Sequence, residues 1–208
     1  MASWFKSLLG KAETREKAPA KRPEADYKLV LPEAPENSPQ SMGKAGPHII
    51  ETDYFRLALG EDWLFVESRD GADIFDHKDG EMECTISTMG LNAVSDKLKG
   101  ICEQLIEFRL EAHDTMSEER GTTYEVFGPN FVETSWGWQG NYDVSDRSEY
   151  MGTFCGLVGE RFILNIYLDL RRFDPDHLHK TFADIMQTLL FTDLAWGSRP
   201  IAEGGLMN

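Results

Sequence analysis

The stretch Arg161-Phe-Ile-Leu-Asn-Ile-Tyr-Leu-Asp-Leu170 decides the fold class, because apolar and polar residues alternate along it. Successive side chains of a β-strand point to opposite faces of a sheet, so this period of two predicts a strand. The even-numbered positions from Phe162 to Leu170 are all apolar and predict a buried face. Just after the strand, Asp174-Pro175 joins a preferred N-cap residue to a proline at the first helical position and predicts the start of a helix.

Alternation and helical spacing divide the preceding chain into a simple series of elements. Asp79-Gly80 is typical of a hairpin turn between two strands. Apolar residues three and four positions apart, from Val94 to Ala112, predict an amphipathic helix over residues 94–116. Strands are predicted over residues 54–59, 64–67, 72–77, 81–89, 122–127, 131–139, 147–158 and 161–170. The order predicts an α+β fold, with an antiparallel sheet of about six to eight strands, two helices packed on one face and a disordered N-terminal tail.

The corner Leu59-Gly60-Glu61-Asp62-Trp63 follows the first of these strands, and the last predicted helix, which starts at Asp174-Pro175, includes the segment Phe182-Ala-Asp-Ile-Met-Gln-Thr-Leu-Leu-Phe191. The corner is similar to the Leu-Pro-x-Gly-Trp corner of the PsbP-like superfamily, which includes the DcrB-like bacterial proteins, and the element order resembles theirs. The resemblance implies a PsbP-like domain that acts in binding or assembly. One bacterial branch of the family resembles the chaperones of type VI secretion effectors. The family has no catalytic motif, so the resemblance implies no catalytic residue.

Charge is unevenly distributed along the 208 residues, whose formal net charge is −15. Residues 1–28 contain seven basic and four acidic residues, a net charge of +3, so the remaining 180 residues carry −18. An acidic body repels the phosphate backbone of a nucleic acid. We therefore expect no nucleic acid among the partners.

The composition predicts four segments. Residues 1–11 form a short amphipathic segment with Trp4, Phe5, Leu8 and Leu9 on one face. Residues 12–47 hold six of the nine prolines and predict a flexible linker, residues 48–195 form the folded domain, and residues 196–208 form a flexible C-terminal tail. The first segment is open to two interpretations, a frayed tail or an anchor that makes weak contact with a partner or a membrane surface. No secretory signal is recognisable, so a cytoplasmic location is expected.

No pattern predicts a catalytic, metal or cofactor site. Cys84, Cys102 and Cys155 lack the Cys-x-x-Cys spacing of zinc sites and are expected to be buried as small apolar residues. The pair His177-x-His179 diverges on a helix, unlike the i, i+4 pair of zinc enzymes. The glycine motifs of nucleotide sites and the nucleophile elbow of hydrolases are missing from the sequence. We therefore expect neither metal nor cofactor and favour a protein that is not an enzyme.

Two surfaces are candidates for binding a partner. Alternation over the predicted strand 131–139 puts Trp136, Trp138 and, further on, Tyr142 on one face, where they serve either the core or a partner. The second candidate is a sheet face without helices, either simply solvated or binding a partner with Tyr167 as anchor. That face would carry Glu83, Thr85, Ser87, Glu133, Ser135, Arg161, Asn165, Tyr167 and Asp169.

These features lead to one main functional hypothesis and two alternatives. The main hypothesis is a non-enzymatic interaction or assembly module in the cytoplasm, which binds another protein and is positioned by its basic N-terminal tail. One alternative is a small ligand-binding protein or hydrolase that uses Asp76, His77, Trp136 and Trp138. The other is a protein similar to the type VI effector chaperones. A deep polar pocket would favour the enzyme, and a shallow open face would count against it.

Overall fold

The alternating segments form strands, and the two segments of helical period form helices. The computed structural model describes residues 47–196, so the predicted amphipathic segment, most of the linker and nearly all of the C-terminal tail lie outside the described residues. The strands are β1 (His48–Glu51), β2 (Phe55–Leu59), β3 (Trp63–Arg69), β4 (Ala72–His77), β5 (Met82–Gly90), β6 (Glu125–Glu133), β7 (Gly137–Ser145), β8 (Met151–Gly159), β9 (Phe162–Leu170) and β10 (Leu190–Phe191). The helices are α1 (Leu98–Arg120) and α2 (Pro175–Gln187).

Two antiparallel sheets organise the described residues. The larger sheet has seven strands in the order β3-β4-β5-β9-β8-β7-β6, and the smaller has the order β1-β2-β10. The α+β class and the antiparallel sheet predicted from the sequence are confirmed. The smaller sheet was not fully predicted, because β1 and β10 are short and their pairing with β2 joins the two ends of the domain.

The two helices pack on opposite faces of the seven-stranded sheet, whereas the sequence predicts both on one face. The even positions of β9 from Phe162 to Leu170 belong to a core that also contains Leu178 and Ile185 of α2. The odd positions Ile163 and Tyr167 belong to a second core, formed with α1. The odd face reads as polar in the sequence because it also carries Asn165 and Asp169, yet α1 covers it and both residues are at most 8% exposed.

Asp174 begins α2 as predicted: its side chain accepts a hydrogen bond from the backbone N–H of His177, and Pro175 is the first helical residue. Helix α1 starts later than predicted, after a 3-10 turn over Ser95–Lys97. Its buried stripe runs through Leu98, Ile101, Cys102, Leu105 and Ile106, then continues with Arg109 and His113. Phe108 and Ala112, which continue the apolar spacing of the sequence beyond Leu105, are only half-buried.

The boundary between β6 and β7 also differs from the prediction. The predicted strands 122–127 and 131–139 leave Gly128-Pro129-Asn130 as a connection between them, but β6 continues through these residues with a bulge between Phe127 and Asn130. The chain turns instead between Glu133 and Gly137. Trp136 therefore lies in a turn and packs against the first core, while Trp138 lies in β7 and packs against the second.

Candidate interaction site

Three of the residues predicted to bind a partner are buried under α1. Tyr142, Tyr167 and Asp169 are 1%, 7% and 8% exposed. The part of the expected helix-free face that lies on β7, β8 and β9 is therefore not open to a partner, because α1 packs on it. Tyr167 serves as a core residue and not as an exposed anchor.

The remaining predicted residues do not form one surface either. Trp136 and Trp138 lie on opposite faces of the large sheet, and both are half-buried. Lys99 of α1 lies over the Trp138 ring, with its Nζ 5.4 Å from the ring centroid. Glu83 is half-buried, and burial together with nearby Asp76 raises the pKa of its carboxyl group. Glu133 is exposed in β6 opposite Trp138.

A buried polar cluster lies where α1 crosses the large sheet. The guanidinium of Arg109 lies 4.7 Å from the ring centroid of Phe154 and 5.3 Å from that of Tyr167. The guanidinium also donates a hydrogen bond to the hydroxyl group of Tyr142. Burial lowers the pKa of Arg109, while the neighbouring tyrosines act in the opposite direction. A cation held between aromatic faces in this way ties α1 to the sheet.

His113 extends this cluster by one turn of the helix. Its Nε2 lies 3.0 Å from the hydroxyl oxygen of Tyr142, and the residue is 6% exposed. Burial lowers the pKa of His113 to about 4, and the charge of Arg109 contributes to the shift. The ring is therefore neutral at pH 7.

Two further tyrosines complete the cluster. The hydroxyl groups of Tyr150 and Tyr167 form a hydrogen bond, and burial raises the pKa of both. Gly152 makes room for them, since a Cβ atom at this position would lie 2.9 Å from Cζ of Tyr167. The cluster therefore joins α1 to β7, β8 and β9 through Arg109, His113 and the buried tyrosines.

An open groove lies beside this cluster, between α1 and β6, with a volume of about 330 Å³. Its apolar lining consists of Ile106 and Leu110 of α1 and Pro129 and Phe131 of β6. The volume is at the lower end of the range for small-ligand sites, about 300–1,000 Å³. Within residues 47–196, β6 pairs only with β7, so no other strand of the described domain closes this side.

Carboxylates line the helical side of the groove. They are Glu103, Glu107, Glu111 and Asp114. Spacings of four, four and three residues place all four on one side of α1, and all four are exposed. Lys99 lies 3.8 Å from Glu103 at the N-terminal end of the row. We call this feature the acidic groove: an apolar floor from Ile106, Leu110, Pro129 and Phe131 with a rim of four carboxylates.

The residues proposed for an enzyme site lie far apart. Strand pairing across the large sheet aligns Asp76 of β4 with Val144 near the end of β7. Trp138 lies six residues before Val144, near the start of β7. Six residues along a strand span about 20 Å, and the four strand spacings from β4 to β7 span about 19 Å. His77 instead contacts Asp79, with 2.9 Å between Nδ1 and Oδ2, and packs edge-on against Trp63.

The cysteines and histidines have local roles in the described domain. Cys84, Cys102 and Cys155 are buried and free, as expected. Burial raises the pKa of the Cys102 and Cys155 thiols to about 12, so neither is a thiolate at pH 7. His179 lies 3.0 Å from Asp143 through Nε2 and Oδ2. Between residues 47 and 196, no group of three His, Cys, Asp or Glu side chains is placed to hold a metal ion.

Comparisons with known proteins show a likeness of structure only. The chain is similar to the solution structure of cyanobacterial PsbP from Synechocystis sp. PCC 6803, with 13% identity and a TM-score of 0.47 over 76% of this chain and 100% of that one. It is also similar to a crystal structure from Bacteroides thetaiotaomicron, with 14% identity and a TM-score of 0.41 over 72% of this chain and 49% of that one. The first of these two structures is a PsbP protein, and the likeness is one of fold alone.

Other comparisons gave no match. No protein-family model and no curated protein matches this chain. Neither helix of the described domain is long and apolar enough to cross a membrane.

The acidic groove was not predicted from the sequence, although one of its signals is visible there. Glu103, Glu107 and Glu111 recur every four residues, which marks one side of a helix. Such a row usually indicates a solvated face. The apolar floor depends on the bulge that brings Pro129 and Phe131 beside α1, and alternation alone did not reveal that bulge.

Proposed function

We propose that this protein is a non-enzymatic interaction module whose acidic groove binds a basic, amphipathic segment of a protein partner. The observation that carries the proposal is the combination of an apolar floor and a one-sided row of carboxylates on α1. An amphipathic helix binds a groove through its apolar face. Basic residues at its borders would meet Glu107 and Asp114.

The charge of the chain and the rigidity of the site support this function. Residues 29–208 carry a net charge of −18, which favours the approach of a basic partner at low salt. Arg109 and His113 lie on the buried side of the same helix and fix its position on the sheet. A groove that is already rigid loses little conformational entropy when a partner binds. A cytoplasmic location belongs to the same proposal.

Fluorescence anisotropy with a labelled probe peptide tests this function. The probe is a synthetic helix of leucine and lysine about 18 residues long, which is five helical turns. The test uses full-length protein in which Trp4→Glu and Leu8→Glu change the N-terminal segment, because the apolar face and lysines of that segment resemble the probe itself. We expect saturable binding that weakens as NaCl is raised from 0.05 to 0.5 M, because exposed charges are screened by salt.

A charge reversal in the groove provides the decisive comparison. Glu107→Lys with Asp114→Lys should weaken binding about tenfold, because each exposed ion pair contributes about 0.2–1 kcal/mol and reversal turns attraction into repulsion. The matched control is Glu61→Lys with Asp184→Lys, two exposed positions away from the groove with the same change in net charge. Equal weakening by both pairs would show a non-specific charge effect and overturn the proposal.

A further inference from the structure

We infer that the acidic groove is occupied, in the free protein, by the chain's own N-terminal residues 1–11. This inference rests on the proposed function and names the first ligand of the same groove. Residues 1–11 carry Lys6 and Lys11 and no acidic residue, whereas the rim of the groove carries four carboxylates. The two charges are complementary within one molecule.

The apolar residues also match. Trp4, Phe5, Leu8 and Leu9 recur at helical spacing and would form one face. The floor of the groove offers Ile106, Leu110, Pro129 and Phe131 as the complementary apolar surface. The lysines beside the apolar face would then lie next to the carboxylates of α1.

The lengths agree as well. The rim runs along α1 from Glu103 to Asp114, which at 1.5 Å per residue is about 16 Å. As the helix that the sequence predicts, residues 1–11 would also be about 16 Å long. One segment of this length can therefore follow the whole rim.

The connection allows the segment to reach the groove. A Gly-rich chain of about 35 residues would have a root-mean-square span of about 30–35 Å, and the prolines and charges between residues 12 and 46 favour a longer span. A domain of about 150 residues has a radius of gyration of about 15 Å. Every face of the domain is therefore within reach.

Tethering lowers the affinity that the contact needs. A flexible linker holds its end at an effective concentration on the order of 1 mM. With a dissociation constant of about 0.1 mM, the segment would fill the groove about 90% of the time. A partner would have to displace the segment, so the segment would act as an intramolecular competitor and raise the partner concentration needed for binding.

Site-specific photo-crosslinking tests this placement in the full-length chain. Phe131 is replaced by photoreactive benzoylphenylalanine, an aromatic residue for an aromatic one on the groove floor. The matched control has the same replacement at Val132, the next residue of β6. Val132 pairs with Gln139 and lies on the opposite face of the sheet from Phe131. After irradiation and trypsin digestion, mass spectrometry should find residues 1–11 joined to position 131 at least fivefold more often than to position 132. Trp4→Glu with Leu8→Glu should abolish this product while the circular dichroism melt is unchanged.

Several results would overturn the inference. Equal yields at positions 131 and 132, or no crosslink to residues 1–11, would exclude occupation of the groove. A mixture of ¹⁵N-labelled and unlabelled chains would give mixed-isotope products if the segment bound a second copy, which also contradicts the inference. Flotation of the wild-type chain with vesicles of 30% phosphatidylserine in phosphatidylcholine, lost in the Trp4→Glu and Leu8→Glu variant and accompanied by no crosslink, would assign the segment to membranes instead.

The probe experiment separates this inference from the proposed function. If the segment fills the groove, the wild-type chain should bind the labelled probe about tenfold more weakly than the Trp4→Glu and Leu8→Glu variant. If both bind equally well and the groove reversal still weakens binding, the proposed function stands and self-occupation is refuted. If neither chain binds the probe, the proposed function fails, whatever the crosslinks show.

Discussion

His113 is a single side chain whose burial makes the whole domain sensitive to acid. Its pKa is lowered to about 4 from an ordinary value of 6.5. Between these two pH values the unfolded chain binds a proton at this position and the folded chain does not. The free energy of unfolding therefore falls as the pH drops through this window. His113 causes no such loss above pH 6.5, where it is neutral in both the folded and the unfolded chain.

The first prediction concerns this residue. The free energy of unfolding of the wild type should fall by about 2 kcal/mol between pH 7 and pH 5 through His113 alone. His113→Gln removes the titrating group, so its free energy of unfolding should fall by about 2 kcal/mol less over the same interval. Urea titrations at both pH values measure the difference. Parallel losses in the two proteins would show that His113 does not titrate as described.

At the scale of elements, two paired glycines determine how closely α1 approaches the sheet. Gly140 of β7 and Gly156 of β8 are direct partners across the two strands. A Cβ atom at Gly140 would lie 2.8 Å from Cγ1 of Ile106, and one at Gly156 would lie 2.7 Å from Cδ2 of Leu105. The helix therefore packs directly on the backbone at this point. It can come this close to the sheet because glycine has no side chain.

The second prediction follows from this close packing. Gly140→Ala and Gly156→Ala should each lower the free energy of unfolding by about 1–3 kcal/mol, because the added methyl group overpacks the interface. Gly100→Ala is the matched control, since a Cβ atom there has no neighbour within 4 Å and the residue is exposed on α1. That change should stabilise the protein by up to about 1 kcal/mol through helix propensity. Chemical denaturation of the three variants checks both directions.

At the scale of the whole molecule, an aromatic contact joins the two sheets. The ring of Trp136, in the turn before β7, lies 4.7 Å from that of Phe191 in β10, measured between centroids. Both rings also contact Phe162 of β9, at 6.2 Å and 5.8 Å. Trp136 therefore acts as a core residue that couples the small sheet to the large one.

The third prediction is an energetic coupling across this contact. Trp136→Ala and Phe191→Ala should each destabilise the domain, and the double variant should be less destabilised than the sum of the two by about 0.5–1.5 kcal/mol. A double-mutant cycle from urea titrations provides the value. Additive losses would mean that the two rings contribute independently and that the sheets are joined elsewhere.

Several elements could be predicted because the pattern that forms them is local. Alternation located β9 and the hairpin at Asp79-Gly80, and the Asp174-Pro175 pair located the start of α2. The opposite placement of the helices could not be predicted, since Asn165 and Asp169 gave the covered face of β9 a polar pattern. The acidic groove depends on a bulge and on contacts between distant segments, which no short-range pattern contains.

The small sheet can be completed only late in synthesis, because it pairs strands from the two ends of the domain. Strand β2 forms early in the chain, yet one of its two neighbours is β10, and the side chain of Thr188 accepts a hydrogen bond from the backbone of Ala58, 130 residues earlier. At a synthesis rate of about 5–20 residues per second, β2 waits roughly 7–25 s on the ribosome for this partner. During that interval Phe55, Leu57 and Leu59, all fully buried in the finished domain, have no complete core to enter. The nascent chain therefore exposes an apolar strand until α2 and β10 have been synthesised.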